Sequence, residues 1–173
     1  MLEVEWILSF LFLGSFVGFM AGLLGIGGGG IMVPVLTSIF LLQGIPVENV
    51  MHLALGSSMA SIIITSISSL RAHHSKGGVV WNVVKGMVPG IIVGTFVATF
   101  LVSHISSIYL ALFFSIFMAY VSIQIFLNKK PKPSRNLTGS TGLLIAGSGI
   151  GAISALVSIG GGSLTVPYLT WQN

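Results

Sequence analysis

The sequence predicts an all-α integral membrane protein, a polytopic helical bundle with two internal repeats and half-helices broken at glycine. Three observations carry this. Of 173 residues, 54% are hydrophobic and only 6% charged, whereas soluble domains carry about 25% charged residues to cover a water-facing surface. The mean hydropathy of +1.04 agrees, and the apolar runs are continuous instead of alternating at every second residue, which excludes a transmembrane barrel. Third, one stretch is written twice. Gly25-Ile26-Gly27-Gly28-Gly29-Gly30-Ile31-Met32-Val33-Pro34 returns 133 residues later as Ser158-Ile159-Gly160-Gly161-Gly162-Ser163-Leu164-Thr165-Val166-Pro167, and residues 18–37 match residues 151–170 at ten of twenty positions without a gap.

The elements follow in order. Residues 6–25 have about the length that crosses a bilayer, with Trp6 at the interface. After the glycines, residues 31–43 are apolar but too short for a full crossing. Gly44-Ile45-Pro46 is a turn. Further spans are expected at 50–70, 79–102 and 108–127, and residues 139–159 lead into the second glycine motif. The loops at 71–78 and 128–136 hold every Lys and Arg except Lys85, so both are placed on the cytoplasmic side of a multi-pass plasma-membrane protein. No cleaved signal peptide is expected, because the N-terminus begins with the acids Glu3 and Glu5 instead of bases.

The first membrane repeat is assigned to residues 1–138 and the start of the second to 139–173. If 31–43 crosses, five elements make up one repeat, and the odd number turns the second copy upside down, as in many secondary transporters. If 31–43 turns back, the repeats are parallel. Inversion is the expected arrangement. A complete second unit would end near residue 270 (roughly one repeat length further on), so the second repeat is expected to lack its last spans.

A helix broken inside hydrocarbon leaves polar backbone groups unpaired, which is tolerated only against protein or a polar cavity. Val33-Pro34 and Val166-Pro167 read as helices restarting after such breaks, with proline in the first turn. Helix N-termini offer free N–H groups and a partial positive charge. Two of them meeting would bind a small anion without any buried base. The candidate substrate site is therefore Gly27, Gly28, Gly29, Gly30 and Ile31 against Gly160, Gly161, Gly162 and Ser163, helped by Thr165, Ser57 and Ser58. Pro34 and Pro167 are structural members of the motif. The bland alternative is close helix packing through small residues. Thr65, Ser66 and Ser68 are assigned to such packing, and His73-His74 to a solvated loop.

Other chemistries are excluded or weak. There is no cysteine, no paired-carboxylate or Ser/His/Asp constellation, and no metal site, so no enzyme activity or cofactor is expected. Gly25-x-Gly27-x-x-Gly30 matches a dinucleotide fingerprint only formally, since no strand precedes it. The net charge of +4 is a membrane-topology signal and not a nucleic-acid one. His52 near the outer end of its span reads equally as a proton acceptor in coupled transport or as an interfacial residue. The expected partners are a small anionic substrate, the lipid bilayer and a coupling ion, proton or sodium.

The segments Gly22–Leu36, with its Gly-Ile-Gly-Gly-Gly-Gly core, and Ala54–His73 together resemble the sulfite exporter TauE/SafE family. Gly78-Val79-Val80-Trp81, Gly90 and Gly94 extend the likeness. Val80 stands where the family commonly has an acidic or amide residue, so no role carries over to it. The resemblance implies a secondary transporter of sulfite, sulfonates, sulfoacetate-like or related organic anions. A transporter of non-sulfur carboxylates and a non-transporting membrane scaffold are the alternatives.

Overall fold

A computed structural model describes residues 4–24, 28–127 and 139–172. They form seven helices: α1 (Val4–Leu24), α2 (Gly29–Leu42), α3 (Val47–Ser75), α4 (Trp81–Val102), α5 (Ser107–Phe126), α6 (Ser140–Val157) and α7 (Gly162–Gln172). No strand occurs among the described residues. Five helices, α1, α3, α4, α5 and α6, are long and apolar enough to cross a membrane. With 14 and 11 residues, α2 and α7 reach only about 21 and 16 Å. Large apolar side chains cover the outside, with Phe12 and Phe96 each 75% exposed. That surface suits lipid and would be untenable in water.

The helix boundaries fall close to the expected spans, with one informative difference. At 29 residues α3 carries on through Arg71, His73 and His74 to Ser75, so most of the expected 71–78 loop is helical. Only Lys76 to Val80 connect α3 to α4, with Gly77 at φ +69. The expected loop at 128–136 lies outside the described residues.

Packing sets the direction of each element. The tight turn at 43–46, with Gly44 at φ +78, folds α2 back on α3. At the start of α3, the Met51 N–H donates to Ser107 Oγ at 3.1 Å, and His52 Nε2 lies 3.2 Å from the carbonyl oxygen of Val102. The beginning of α3, the end of α4 and the beginning of α5 therefore share one end of the bundle. At the other end the His74 ring meets Trp81 edge-on at 5.6 Å.

The closest helix pair is α4 with α6. Gly90 lies against the carbonyl of Leu144 and Gly94 against that of Ser148, while Gly147 and Gly151 on α6 face the carbonyls of Met87 and Ile91. Small residues at four-residue spacing on both partners let the backbones touch. The Thr95 hydroxyl donates to the Gly151 carbonyl at 3.2 Å and tightens the crossing. Because the register rises together on both helices, α4 and α6 run parallel. Behind them α7 folds back, with Leu164, Tyr168 and Leu169 on the core of Met87, Leu143 and Ile150. A second core joins α1, α2, α3 and α5 around Val33, Ala54, Leu55 and Leu110. With α2 folded back on α1, where Gly28 faces Val17, the elements alternate in direction along the chain. Helices α1 and α6, which lead into the two glycine motifs, run opposite ways.

Candidate functional site

The site begins with a backbone that only a few residue types tolerate. Helix α6 ends at Ser158, whose φ of 52 is left-handed, and Gly160 and Gly161 follow at φ +74 and +73. Glycine adopts such angles without a Cβ penalty. Ser158 holds its strained conformation through its side chain, which donates to the Leu55 carbonyl of α3 at 3.2 Å. Gly160 packs on Ile62 of the same helix, where an added Cβ would sit 3.3 Å from the Ile62 side chain. Leu55 and Ile62 lie about 12 and 22 Å along α3 from its first residue, at about 1.5 Å per residue. The second break thus crosses α3 between its first quarter and its midpoint, well inside its length of about 43 Å.

The first motif meets it there. Gly29, the first residue of α2, is pressed against the carbonyl of Ser158, and a Cβ on Gly29 would overlap that oxygen. Local features recur at the 133-residue offset. The Gly28 carbonyl accepts from the N–H groups of Ile31 and Met32, and the Gly161 carbonyl accepts from those of Leu164 and Thr165. Gly28 faces Val17 as Gly161 faces Ile150. Thr37 donates its hydroxyl to the Val33 carbonyl, and Thr170 to that of Val166. Among the described residues the backbones differ at Gly28, which is right-handed at φ −66 where Gly161 is at φ +73.

The start of α2 therefore packs on the turn that precedes α7, and Gly28 shares a cavity lining with Gly160 and Gly162. Pro34 and Pro167 stand six residues into their helices, beyond the first turn expected for them. Proline there removes the amide that would bond the carbonyl four residues earlier, at Gly30 and at Ser163. At the α7 end, the N–H groups of Gly160, Gly161, Gly162 and Ser163 have no hydrogen-bond partner among the described residues.

A cavity of about 970 Å³ reaches from this junction to His73 and Gly78 at the basic end of the bundle. Gly28, Gly160 and Gly162 line its inner end. One wall is a face of α3 with Ser61, Thr65, Ser66 and Ser69, and the facing wall is α1 with Gly14, Gly18 and Gly22. Among the described lining residues there is no Lys, Arg, Asp or Glu, and His73 is the one titratable group.

Other expected site residues are distributed differently. Gly29 is buried against Ser158, and Gly30 against the Met118 side chain of α5, 2.9 Å from where its Cβ would be. Ile31 is half-buried beside the second core. Ser58 is fully buried, and its hydroxyl has no partner among the described residues. It shares the α3 face of Leu55 and Ile62, one turn from each, but is not among the residues that line the cavity. Ser57 is exposed and contributes only its carbonyl, to the Ser61 hydroxyl. Ser163 and Thr165 are half-buried on α7, and the Ser163 hydroxyl is buried without a partner among the described residues. Gly27 lies outside the described residues.

Sequence reasoning missed the cavity walls. Thr65 and Ser66 face the cavity instead of gluing helices, and His73 stands at its mouth on a helix instead of in a loop. The four-residue spacing of Ser61, Thr65, Ser69 and His73, and of Gly14, Gly18 and Gly22, was the available signal.

Comparison with known proteins agrees with this architecture. The family model for the sulfite exporter TauE/SafE matches residues 10–173. The chain is 34% identical over 166 residues to a "Probable membrane transporter protein" of Haemophilus influenzae, covering 95% of this chain and 63% of that relative. It is 36% identical over 83 residues to a probable membrane transporter protein of Methanocaldococcus jannaschii, covering 46% of this chain and 30% of the relative. No solved structure matches the chain. It spans less than two thirds of the length of both relatives. With its duplicated glycine motif and five membrane-length helices, this multi-pass membrane chain belongs to the sulfite exporter TauE/SafE family.

Proposed function

We propose that the protein acts in secondary transport of a small sulfur-containing or organic anion across the plasma membrane, and that the meeting of the two glycine motifs is its anion site. One observation carries the reading. The start of α2 packs on the turn that precedes α7, at the inner end of a cavity, and the N–H groups of Gly160–Ser163 at that turn have no partner among the described residues. Each helix start carries about half a positive elementary charge, and backbone donors of this kind hold oxyanions without a buried base. The alternation of helix directions and the recurring contacts at the 133-residue offset favour two repeats entering the membrane in opposite senses, an arrangement that suits alternating access.

Uptake and efflux of radiolabelled sulfite and small organic anions in proteoliposomes test this, with and without proton and sodium gradients. One anion should move, compete with its analogues, and stop moving in Gly28→Leu and Gly161→Leu at normal protein levels. Movement unaffected by both substitutions would place the site elsewhere, and movement of no anion would leave the scaffold reading ahead.

A further inference from the structure

At the basic end of the bundle α3 and α4 meet through one ring contact, His74 edge-on to Trp81 at 5.6 Å. Arg71 stands three residues before His74, and Lys85 four residues after Trp81. Those spacings keep a residue on the same helix face, one turn away. Here α3 is ending and α4 beginning, so both cations lie one turn deeper in the membrane than the ring contact. Both are exposed, and neither lines the cavity, whose wall at this level is Leu70, His73 and Val84. We propose that Arg71 and Lys85 together hold the phosphate of an anionic phospholipid on the outer side of the α3–α4 hairpin.

Depth is the first argument. With 29 residues, α3 is about 43 Å long, which matches a bilayer with its headgroups, about 40–45 Å. Centred on a hydrocarbon layer of about 30 Å, it leaves about 6–7 Å among the headgroups at each end. Arg71 lies about 36 Å along it, at the boundary between acyl chains and phosphates. With Trp81 beside His74, Lys85 comes within about 2 Å of the same depth. On the same faces an exposed aliphatic track runs inward from each cation. Ile67 and Ile64 follow Arg71 on α3, and Val88 and Ile92 follow Lys85 on α4. Two acyl chains below one phosphate fit that surface.

Charge is the second argument. Neither cation has a hydrogen-bond or ion-pair partner among the described residues. Glu48 is in the first turn of α3, about 35 Å along the helix from Arg71. Glu5 is in the first turn of α1, which starts at that same far end. The counter-charge for two neighbouring cations therefore comes from outside the chain, and at this depth the available anion is a lipid phosphate. Arginine presents a fork to two phosphate oxygens. Lysine adds a point charge on an apolar stem that snorkels to the headgroups.

The chain has three tryptophans, so Trp6→Phe with Trp171→Phe leaves Trp81 to report on the site. In bilayers of phosphatidylcholine, brominated phosphatidylglycerol should quench Trp81 more than brominated phosphatidylcholine at the same mole fraction. Arg71→Gln and Lys85→Gln should each lower that preference about fivefold, the share of one cation near an anionic surface, and the double variant should nearly abolish it. Arg71→Lys should keep most of it, and Lys76→Gln, past the end of α3, should change it little. Unchanged melting midpoints in pure phosphatidylcholine separate lost headgroup binding from lost folding. Equal quenching by the two lipids in the parent chain would overturn the site. A preference that survives the double variant, or falls as far in Lys76→Gln, would assign the attraction to the diffuse charge of this end and overturn it too. Relief of quenching by millimolar glycerol phosphate would make it a site for a soluble anion instead of a lipid.

Discussion

The α-carbon of Gly29 rests against the carbonyl oxygen of Ser158, bringing together two segments 129 residues apart in the chain. The Ser158 hydroxyl in turn reaches the Leu55 carbonyl. Helices α2, α3 and α6 are therefore held at one point, and that point is the end of the cavity.

Gly29→Ala should break this contact. The added methyl overlaps backbone on a turn already tied to α3, so neither side can yield cheaply. Overpacking costs about 1–3 kcal/mol in well-packed cores, and a lower thermal midpoint in detergent is expected. Gly14→Ala, whose methyl meets nothing within 4 Å, should leave the midpoint unchanged or raised.

Gly161→Ala and Gly28→Ala should differ although the two glycines occupy matching places in the motif. At φ +73 alanine costs about 1–2 kcal/mol. At Gly28, with φ −66 and Val17 3.6 Å from the new methyl, it should cost little. Gly161→Asn should recover part of the loss, since asparagine tolerates the left-handed region. Denaturation midpoints of the three variants check this order, and equal losses at both glycines would contradict it.

Gly94→Leu should separate α4 from α6 at their closest approach, where the Ser148 carbonyl stands in the way. Gly56→Leu, on an exposed face with nothing within 4 Å, is the matched control. The expected result is poor recovery of monodisperse protein for the first substitution and normal recovery for the second.

Ser58→Ala separates function from folding. Its hydroxyl has no partner among the described residues, so removing it should leave stability unchanged or improved. If the hydroxyl binds the anion, the loss is a charge-assisted hydrogen bond of about 1.5–3 kcal/mol, roughly tenfold or more in affinity. Binding and melting measured on the same preparation decide between the two roles.

Ser158→Ala should act through stability. It deletes the bond to the Leu55 carbonyl and places alanine at φ 52. Together these should cost about 1–2 kcal/mol. Ser158→Gly loses the same bond without the left-handed penalty, so it should melt above Ser158→Ala.

Much of this was legible in the sequence because membrane helices are specified locally. Continuous apolar runs gave five helices and their ends to within a few residues, since every backbone polar group in hydrocarbon must be satisfied within its own segment. The repeated glycines marked where α1 and α6 end and where α2 and α7 begin. Within the candidate site, Gly28, Gly160 and Gly162 line the cavity, whereas Ser58 is buried in the packing and Ser57, one helical step of about 100° away, is exposed.

What the sequence alone determined is the class: an apolar, helical, glycine-broken membrane chain. Only the tertiary structure decided which small residues pack and which make room. Gly18 on α1 and Gly90 on α4 look alike as letters within four-residue glycine repeats. One borders a cavity and the other a neighbouring backbone. The same holds for Thr65 and Thr95, of which one bonds its own helix beside the cavity and the other ties α4 to α6. A residue's chemistry is set by its atoms, but its role depends on what stands opposite it, and in this bundle that partner comes from a distant part of the chain.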